Sequence, residues 1–431
     1  MKIIILGGGL AGLSLAHFYH GSSLILEKEK IPGGLCRSFL FQGVYHDIGP
    51  HIIFSRNEKM LHILTSLTET NQLRRSNQIF HKGQFVKYPF ENDLSALPSH
   101  ERDYCLTEFL SNPYESYPSD NMLQFFLKTF GEGITRLYLQ PYNEKIWKFD
   151  PSFMDIQMVE RIPKPPKEDV IKSAKGEPTE GYTHQLFFHY PKSGGIQSLI
   201  HGLIQQIQNK TKIIPNIAIH KIEQKENQWQ VYTDQGTFSG DQLVNCMPIH
   251  ELVKYLPQLP QSLLQTVNAL QYNSIYIVLI YVKKEMIGNH FAIYIADQTI
   301  LFHRLSRLNF LGASYCAPNG GTILQAEITY RSGSYLSQIS QDSIMKQIAD
   351  QLNQLGLIDK NDICDMTIKQ YEYAYVIYDL NHRKHVDYIL DELSNRGIQS
   401  CGRFAEFEYL NMDQTIEHSY HLANQLNTII K

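Results

Sequence analysis

The chain has 431 residues with 39 basic and 43 acidic side chains, a net charge of -4, and no run of like charge that reads as a nucleic-acid arm. Its length allows a large core divided into two or three lobes. Six scattered cysteines with no C-x-x-C pair and no His/Cys cluster point to free thiols in a reducing compartment and to no metal site. No apolar run approaches the 18 residues that a membrane span needs, so a soluble, cytoplasmic protein is expected.

The first 38 residues organise the rest. Lys2-Ile3-Ile4-Ile5-Leu6 is a short apolar run with the β-branched bias of a buried strand. It enters Gly7-Gly8-Gly9-Leu10-Ala11-Gly12, followed by a helical stretch at 13–19 and a second strand, Ser23-Leu24-Ile25-Leu26, ending in Glu27. Gly7, Gly9 and Gly12 occupy the G-x-G-x-x-G places of a dinucleotide-binding βαβ unit, and Glu27 stands where a carboxylate accepts from a ribose diol. Gly33-Gly34 and Arg37 add a second backbone nest and a cation over the same diphosphate. A nicotinamide-binding protein does not need that element, so FAD is the expected cofactor.

Farther along, residues 42–55 suggest strands bracketing a rigid Gly49-Pro50-His51 turn. Residues 84–90 read as a strand stopped by proline, and 94–160 as helical, with Leu123, Phe126, Leu127 and Phe130 at helix spacing. The polar, proline-broken stretch 163–183 reads as a mobile loop or lid. A helix is expected to follow Gly194-Gly195, then strands within 212–233 and at 242–246. Long alternating segments near 275–281, 292–295 and 322–329 predict a second, antiparallel sheet, flanked by helices at 340–355 and 412–430.

Three groups of residues are candidate site elements. Tyr138, Asn143 and Trp147 lie in an aromatic stretch that either stacks and reads a base or buries an aromatic helix face. Arg161 and Arg304 stand alone in mainly apolar or neutral surroundings. Each needs an anion, from a substrate diphosphate or from an internal carboxylate. The third group comprises Tyr375, Tyr409 and Arg403, where tyrosines serve either as donors to phosphate or as ordinary strand filler. His51 has both a local backbone role and a cofactor-facing role open to it.

Taken together, these stretches resemble the UDP-galactopyranose mutases, flavoenzymes related in fold to the amine oxidases. The resemblance runs through the Gly7 fingerprint, Gly49-Pro50-His51, Tyr88-Pro89-Phe90, Pro141-Tyr142-Asn143 with Lys145 and Trp147, Glu160-Arg161, Arg304, and Gly402-Arg403 to Tyr409. It implies a Rossmann-like FAD-binding domain (1–80, 186–250 and 395–431) in an α/β fold. With it go an inserted helical substrate lobe (94–185) and an antiparallel sheet domain (81–93 and 251–394). It implies that Tyr88, Tyr138, Asn143 and Trp147 hold uridine, that Arg161 and Arg304 clamp the UDP diphosphate, and that Tyr294, Tyr375, Tyr409 and Asn411 contact diphosphate or sugar. His51 would face the flavin and Arg403 its diphosphate.

The implied activity is interconversion of UDP-galactopyranose and UDP-galactofuranose for cell-surface polysaccharide. It proceeds through a bond between the sugar and N5 of reduced FAD, with NAD(P)H a candidate external reductant that has no motif of its own. The oligomeric state is left open, a homo-oligomer included. Glu91 stands where the eukaryotic-like members of the family carry glutamine, and Phe407 and Glu408 replace a tryptophan and a basic residue. The alternative reading is an oxidase of the amine oxidase or protoporphyrinogen oxidase kind, which shares the N-terminal signature.

Overall fold

The computed structural model describes residues 1–162, 165–181 and 186–430; the side chains of Glu160, Arg161 and Ile430 lie outside that description. Its first layer is a five-stranded parallel sheet in the order Ile398–Ser400, Gln242–Asn245, Lys2–Leu6, Ser22–Leu26, Thr211–Ile214. Parallel strands buried on both faces require continuous apolar runs. Ile3 and Ile5 accordingly pack with the helices Leu10–Phe18 and Gln197–Ile207, while Ile4 and Leu6 join the core on the other side. The C-terminal helix Met412–Ile430 lies against Leu10–Phe18, so the two ends of the chain complete one layer.

The second layer has seven strands in the order Ile363–Ile377, Gln271–Val282, Thr322–Tyr330, Arg304–Arg307, Ala292–Tyr294, Asn77–His81, Gln84–Lys87. All neighbours are antiparallel except Ala292–Tyr294 and Asn77–His81, which run parallel. The sheet therefore reaches back to Asn77, inside the 1–80 stretch expected to belong with the flavin-binding layer. After the Gly49-Pro50-His51 turn no second strand forms; Ile53 makes only an isolated bridge to His189.

Helices Ser99–Leu110, Met122–Ile134 and Gln140–Trp147 build the helical lobe, the last two joined by a π-helical turn at Thr135–Leu139. Asn121 caps the second by accepting from the Gln124 N–H at 3.0 Å. The stretch expected as a mobile loop contains a packed helix, Lys167–Ala174, whose Val170, Ser173 and Ala174 are buried. Pro166 directly precedes its first turn, where a missing N–H costs nothing, and Glu168 and Asp169 suit the positive helix start. Among the described residues no helix is long and apolar enough to cross a membrane.

Where the helical lobe meets the large sheet, Lys145 is 1% exposed and donates to the Asp297 carbonyl at 2.6 Å. Burial, followed by the charge of Lys148, lowers its ammonium from 10.5 to about 7. Between pH 7 and 10.5 the unfolded chain then holds the proton that the folded chain has released. Stability from this residue is complete only above the unfolded value and is lost as pH falls to about 7. Denaturant unfolding across pH 6 to 10 should show stability rising through that window. Lys145→Met should flatten the rise, by an amount bounded near roughly 5 kcal/mol.

Candidate active site

The strand Lys2–Leu6 turns at Gly7, whose φ is +103°. The helix from Leu10 begins with no side-chain cap and no acidic residue in its first turn, leaving its leading N–H groups for an anion. Gly12 lies so close to that turn that a Cβ would stand 2.1 Å from the Gly7 carbonyl oxygen. The second glycine pair docks on the first: Gly33 N–H donates to Gly8 at 2.8 Å. A Cβ at Gly34, where φ is +57°, would meet Gly9 Cα at 3.1 Å. A side chain is excluded at Gly12 and strained at Gly34.

Around this cradle opens a cavity of about 760 Å³ lined by Gly7, Gly9, Glu27, Gly33, Gly34, Arg37, His51 and Arg403, in the upper part of the roughly 300–1,000 Å³ range of ligand sites. Glu27 accepts from the N–H groups of Gly8 and Glu29 at 2.7 and 2.8 Å, and burial holds its carboxyl above the usual carboxylate range. Arg37 donates to the Gly34 carbonyl and pairs with Glu29, both at 2.9 Å. It therefore stiffens the glycine loop while lining the cavity. An uncapped helix start, glycines that admit no side chain and a fixed acid at the second strand's end fit the diphosphate and ribose of FAD.

Asp47 anchors the loop at the far end. It is 1% exposed and accepts from Ser38 Oγ at 2.7 Å, the Tyr190 hydroxyl at 2.7 Å, Ile196 N–H at 3.0 Å and His51 N–H at 3.3 Å. Burial raises its carboxyl, and the four donors oppose that rise. His51 Nδ1 lies 2.8 Å from the Gly49 carbonyl. A carbonyl only accepts, so Nδ1 carries the hydrogen and Nε2 is left as an acceptor. Burial, then the charge of Arg403, lowers this imidazole to about 4, so it is neutral at ordinary pH.

His51 and Arg403 also line a recess of about 180 Å³, together with Arg304, Glu327, Tyr375, Tyr409 and Asn411. Arg304, Tyr375, Tyr409 and Asn411, expected to contact substrate and distant in sequence, meet here. Arg304 is already paired: Nε and Nη2 donate to the two Glu327 oxygens at 2.5 and 2.6 Å. Burial works against the guanidinium's charge, but Glu327, with Tyr375 and Tyr294, holds Arg304 well above its ordinary value. The internal carboxylate, one of two anions left open by the sequence, is present, and Arg304 faces the recess as well. Glu327 was not singled out in the sequence; as the one carboxylate in the strand TILQAEITY it was the available signal.

The aromatic stretch also departs from expectation. Tyr138, 3% exposed, is stacked between Phe90 at 5.1 Å and Tyr142 at 5.3 Å, so it is core. Tyr142, half-buried, takes the outward place, 5.6 Å from the ring of Tyr294, which sits 4.9 Å from Tyr88. Asn143 is spent largely inside its own helix, donating to Leu139 O at 2.7 Å and accepting from Trp147 Nε1 at 2.8 Å. Trp147 meets Tyr375 and Tyr409, two residues of the recess, edge-on at 5.7 and 5.6 Å. Glu91 is buried at 3% exposure, and burial raises it to about 7. Arg161 ends the turn Ile156–Arg161, but its side chain lies outside the described residues. Among the described residues no His/Cys/Asp/Glu group could hold a metal.

Residues 10–384 match the family described as flavin containing amine oxidoreductase. The chain belongs to that family. Like other flavin-containing amine oxidoreductases it has a mixed α/β fold built for FAD. Over 199 residues it is 25% identical to the UDP-galactopyranose mutase of Mycoplasma pneumoniae (strain ATCC 29342 / M129 / Subtype 1). That match spans 42% of this chain and only 50% of the relative.

The fold superposes on a crystal structure of reduced UDP-galactopyranose mutase with a TM-score of 0.90 at 22% identity, covering 99% of this chain and 96% of the other. A structure from Exiguobacterium sp. 255-15, described provisionally as a protoporphyrinogen oxidase, gives 0.78 at 15% identity, with 99% of each chain covered. At such identities the likeness establishes the fold.

Two outcomes test this geometry. Gly12→Ala should yield protein that fails to retain FAD, seen as loss of flavin absorbance in the purified sample. Glu327→Leu, which leaves the partly exposed Arg304 without its carboxylate, should cost about 1–3 kcal/mol in chemical denaturation. The double variant with Arg304→Met should recover part of that loss.

Proposed function

We propose that this flavoprotein is a nucleotide-sugar mutase interconverting UDP-galactopyranose and UDP-galactofuranose, or a close UDP-sugar analogue. The observation that carries the reading is the recess itself: Arg304, Tyr375 and Tyr409 gather beside His51 at the edge of the flavin cavity. Bound FAD, in reduced form, would supply the nucleophile for the anomeric carbon. The chain's own task is then to orient a sugar over the cofactor and stabilise a departing UDP anion.

Arg304 commits its Nε and one Nη2 hydrogen to Glu327, which leaves three of the five guanidinium N–H groups for diphosphate oxygens. Tyr375 and Tyr409 add phenol donors, and His51 Nε2 offers a neutral acceptor to a sugar hydroxyl. Tyr142, between Tyr138 and Tyr294, offers a face for the base. Glu91, raised to about 7, is protonated often enough near neutrality to donate to a base carbonyl. Arg161, on the turn Ile156–Arg161, is proposed as the second cation. In this reading residues 1–76, 186–250 and 395–431 hold the flavin, the lobe 94–185 covers the sugar nucleotide, and the sheet of 77–93 and 251–394 forms the floor.

The family match and the 0.78 superposition favour a second reading, an FAD-dependent oxidase of the amine or protoporphyrinogen kind. An apolar substrate makes less use of a recess lined by arginine and tyrosine.

The deciding assay takes FAD-loaded protein, reduces it anaerobically with dithionite, and follows UDP-galactofuranose by chromatography, with NADH and NADPH as parallel reductants. Conversion to UDP-galactopyranose is expected from reduced protein and none from oxidised protein. Arg304→Ala should lower kcat/KM by at least about 100-fold. No conversion, together with oxygen-dependent turnover of an amine, would replace this proposal with the second.

A further inference from the structure

A buried network outside the recess converges on Tyr409. After Gly402, the π-helical turn Arg403–Phe407 ends at Phe407 with φ +53°, a left-handed conformation that is unusual for an aromatic residue. Phe407 is fully buried, and its carbonyl accepts from His382 Nε2 at 2.8 Å. His382 lies flat on Tyr378, their ring centroids 4.0 Å apart. The Tyr378 hydroxyl donates to Glu408 Oε2 at 2.5 Å and accepts from the Tyr409 N–H at 2.8 Å. Glu408 is held from its other oxygen by Arg383, and its own N–H donates to the Arg403 carbonyl at 2.8 Å. Both recess residues on this turn, Arg403 and Tyr409, therefore take their backbone positions from groups that touch no ligand.

Tyr378 reaches in the other direction as well. Its carbonyl accepts from the Asp155 N–H at 2.8 Å, and Asp379 bridges to Met154. Asp155 caps the turn Ile156–Arg161 by accepting from Gln157 N–H at 2.8 Å.

We propose that Tyr378 is a positioning residue whose hydroxyl, held by Glu408, fixes the main chain of Tyr409 and so sets the wall of the recess against the flavin. The inference rests on the proposed mutase reading only for its ligand; the placement of Tyr409 stands apart from it. The carboxylate is what makes the arrangement work. It takes the phenol hydrogen and turns the phenol lone pairs toward the Tyr409 N–H. A basic residue at 408 would supply no acceptor for that hydrogen.

The test uses the FAD-loaded protein and three variants. Tyr378→Phe keeps the ring stacked on His382 and removes only the hydroxyl. Glu408→Gln keeps an oxygen for the phenol, and Glu408→Leu removes it. Tyr378→Phe and Glu408→Leu should retain FAD with parental affinity yet weaken UDP binding roughly tenfold, read by the change in flavin absorbance on titration. Glu408→Gln should stay within about threefold of the parent. A crystal structure of FAD-loaded Tyr378→Phe should show Tyr409 displaced by about 1 Å or more.

If Tyr409 stays in place in that structure, the proposal is overturned, whatever the ligand. If the parent binds no UDP, the mutase reading fails, and the position of Tyr409 still decides the role of Tyr378. UDP binding equal to the parent in Tyr378→Phe also overturns the proposal.

Discussion

The candidate site depends on one ion pair whose carboxylate is fully buried. Glu327 is fully buried in a strand whose nine residues are all inaccessible, and a carboxylate there is unfavourable without a cation held close. Arg304 meets it on the neighbouring strand in direct register, so sheet pairing itself delivers the partner. The pair in turn fixes what lies above. A side chain at Gly49 would stand 3.1 Å from Glu327 Oε2, so the loop crosses at backbone contact and presents His51 at the edge of the cofactor cavity. A guanidinium held this way is already oriented for the anionic ligand proposed above and has little rotamer freedom left to lose.

Asp47 performs the complementary task on the cofactor side. Its four donors come from the first hairpin, the His51 loop, the strand Phe187–Pro191 and the entrance to the helix Gln197–Ile207. Segments separated by up to 149 residues thus share a single buried carboxylate. The two acids place His51 from opposite sides, one through its backbone N–H and the other through the loop's approach to the sheet.

What the sequence disclosed was what is local. The glycine turn, Glu27 and the second glycine pair fall within one βαβ unit, and each follows from spacing along a single strand–turn–helix. The partner of Arg304 was not legible, because the two residues are 23 apart and meet only through strand register. Tyr138 follows the other reading its stretch allowed, an aromatic face buried in the core. The uridine role came from the resemblance, and the π-helical turn Thr135–Leu139 that leaves Tyr142 outward has no sequence signal of its own. Prolines made the stretch around Lys167–Ala174 read as loop, although Pro166 stands where a helix start tolerates it. The helix His382–Asn395, with Val386, Ile389 and Leu393 buried at helical spacing, was readable and went unread.

The parallel sheet has a consequence for how the cofactor is acquired. Its strands come from residues 2–26, 211–214, 242–245 and 398–400, and Gly402 closes on the first helix so tightly that a Cβ there would lie 2.6 Å from Ala11 Cβ. The glycine cradle is made nearly four hundred residues before the strand that completes its sheet. A chain that stops short of Gly402 lacks that strand and the closure on Ala11, so products truncated there should hold flavin poorly and emerge colourless.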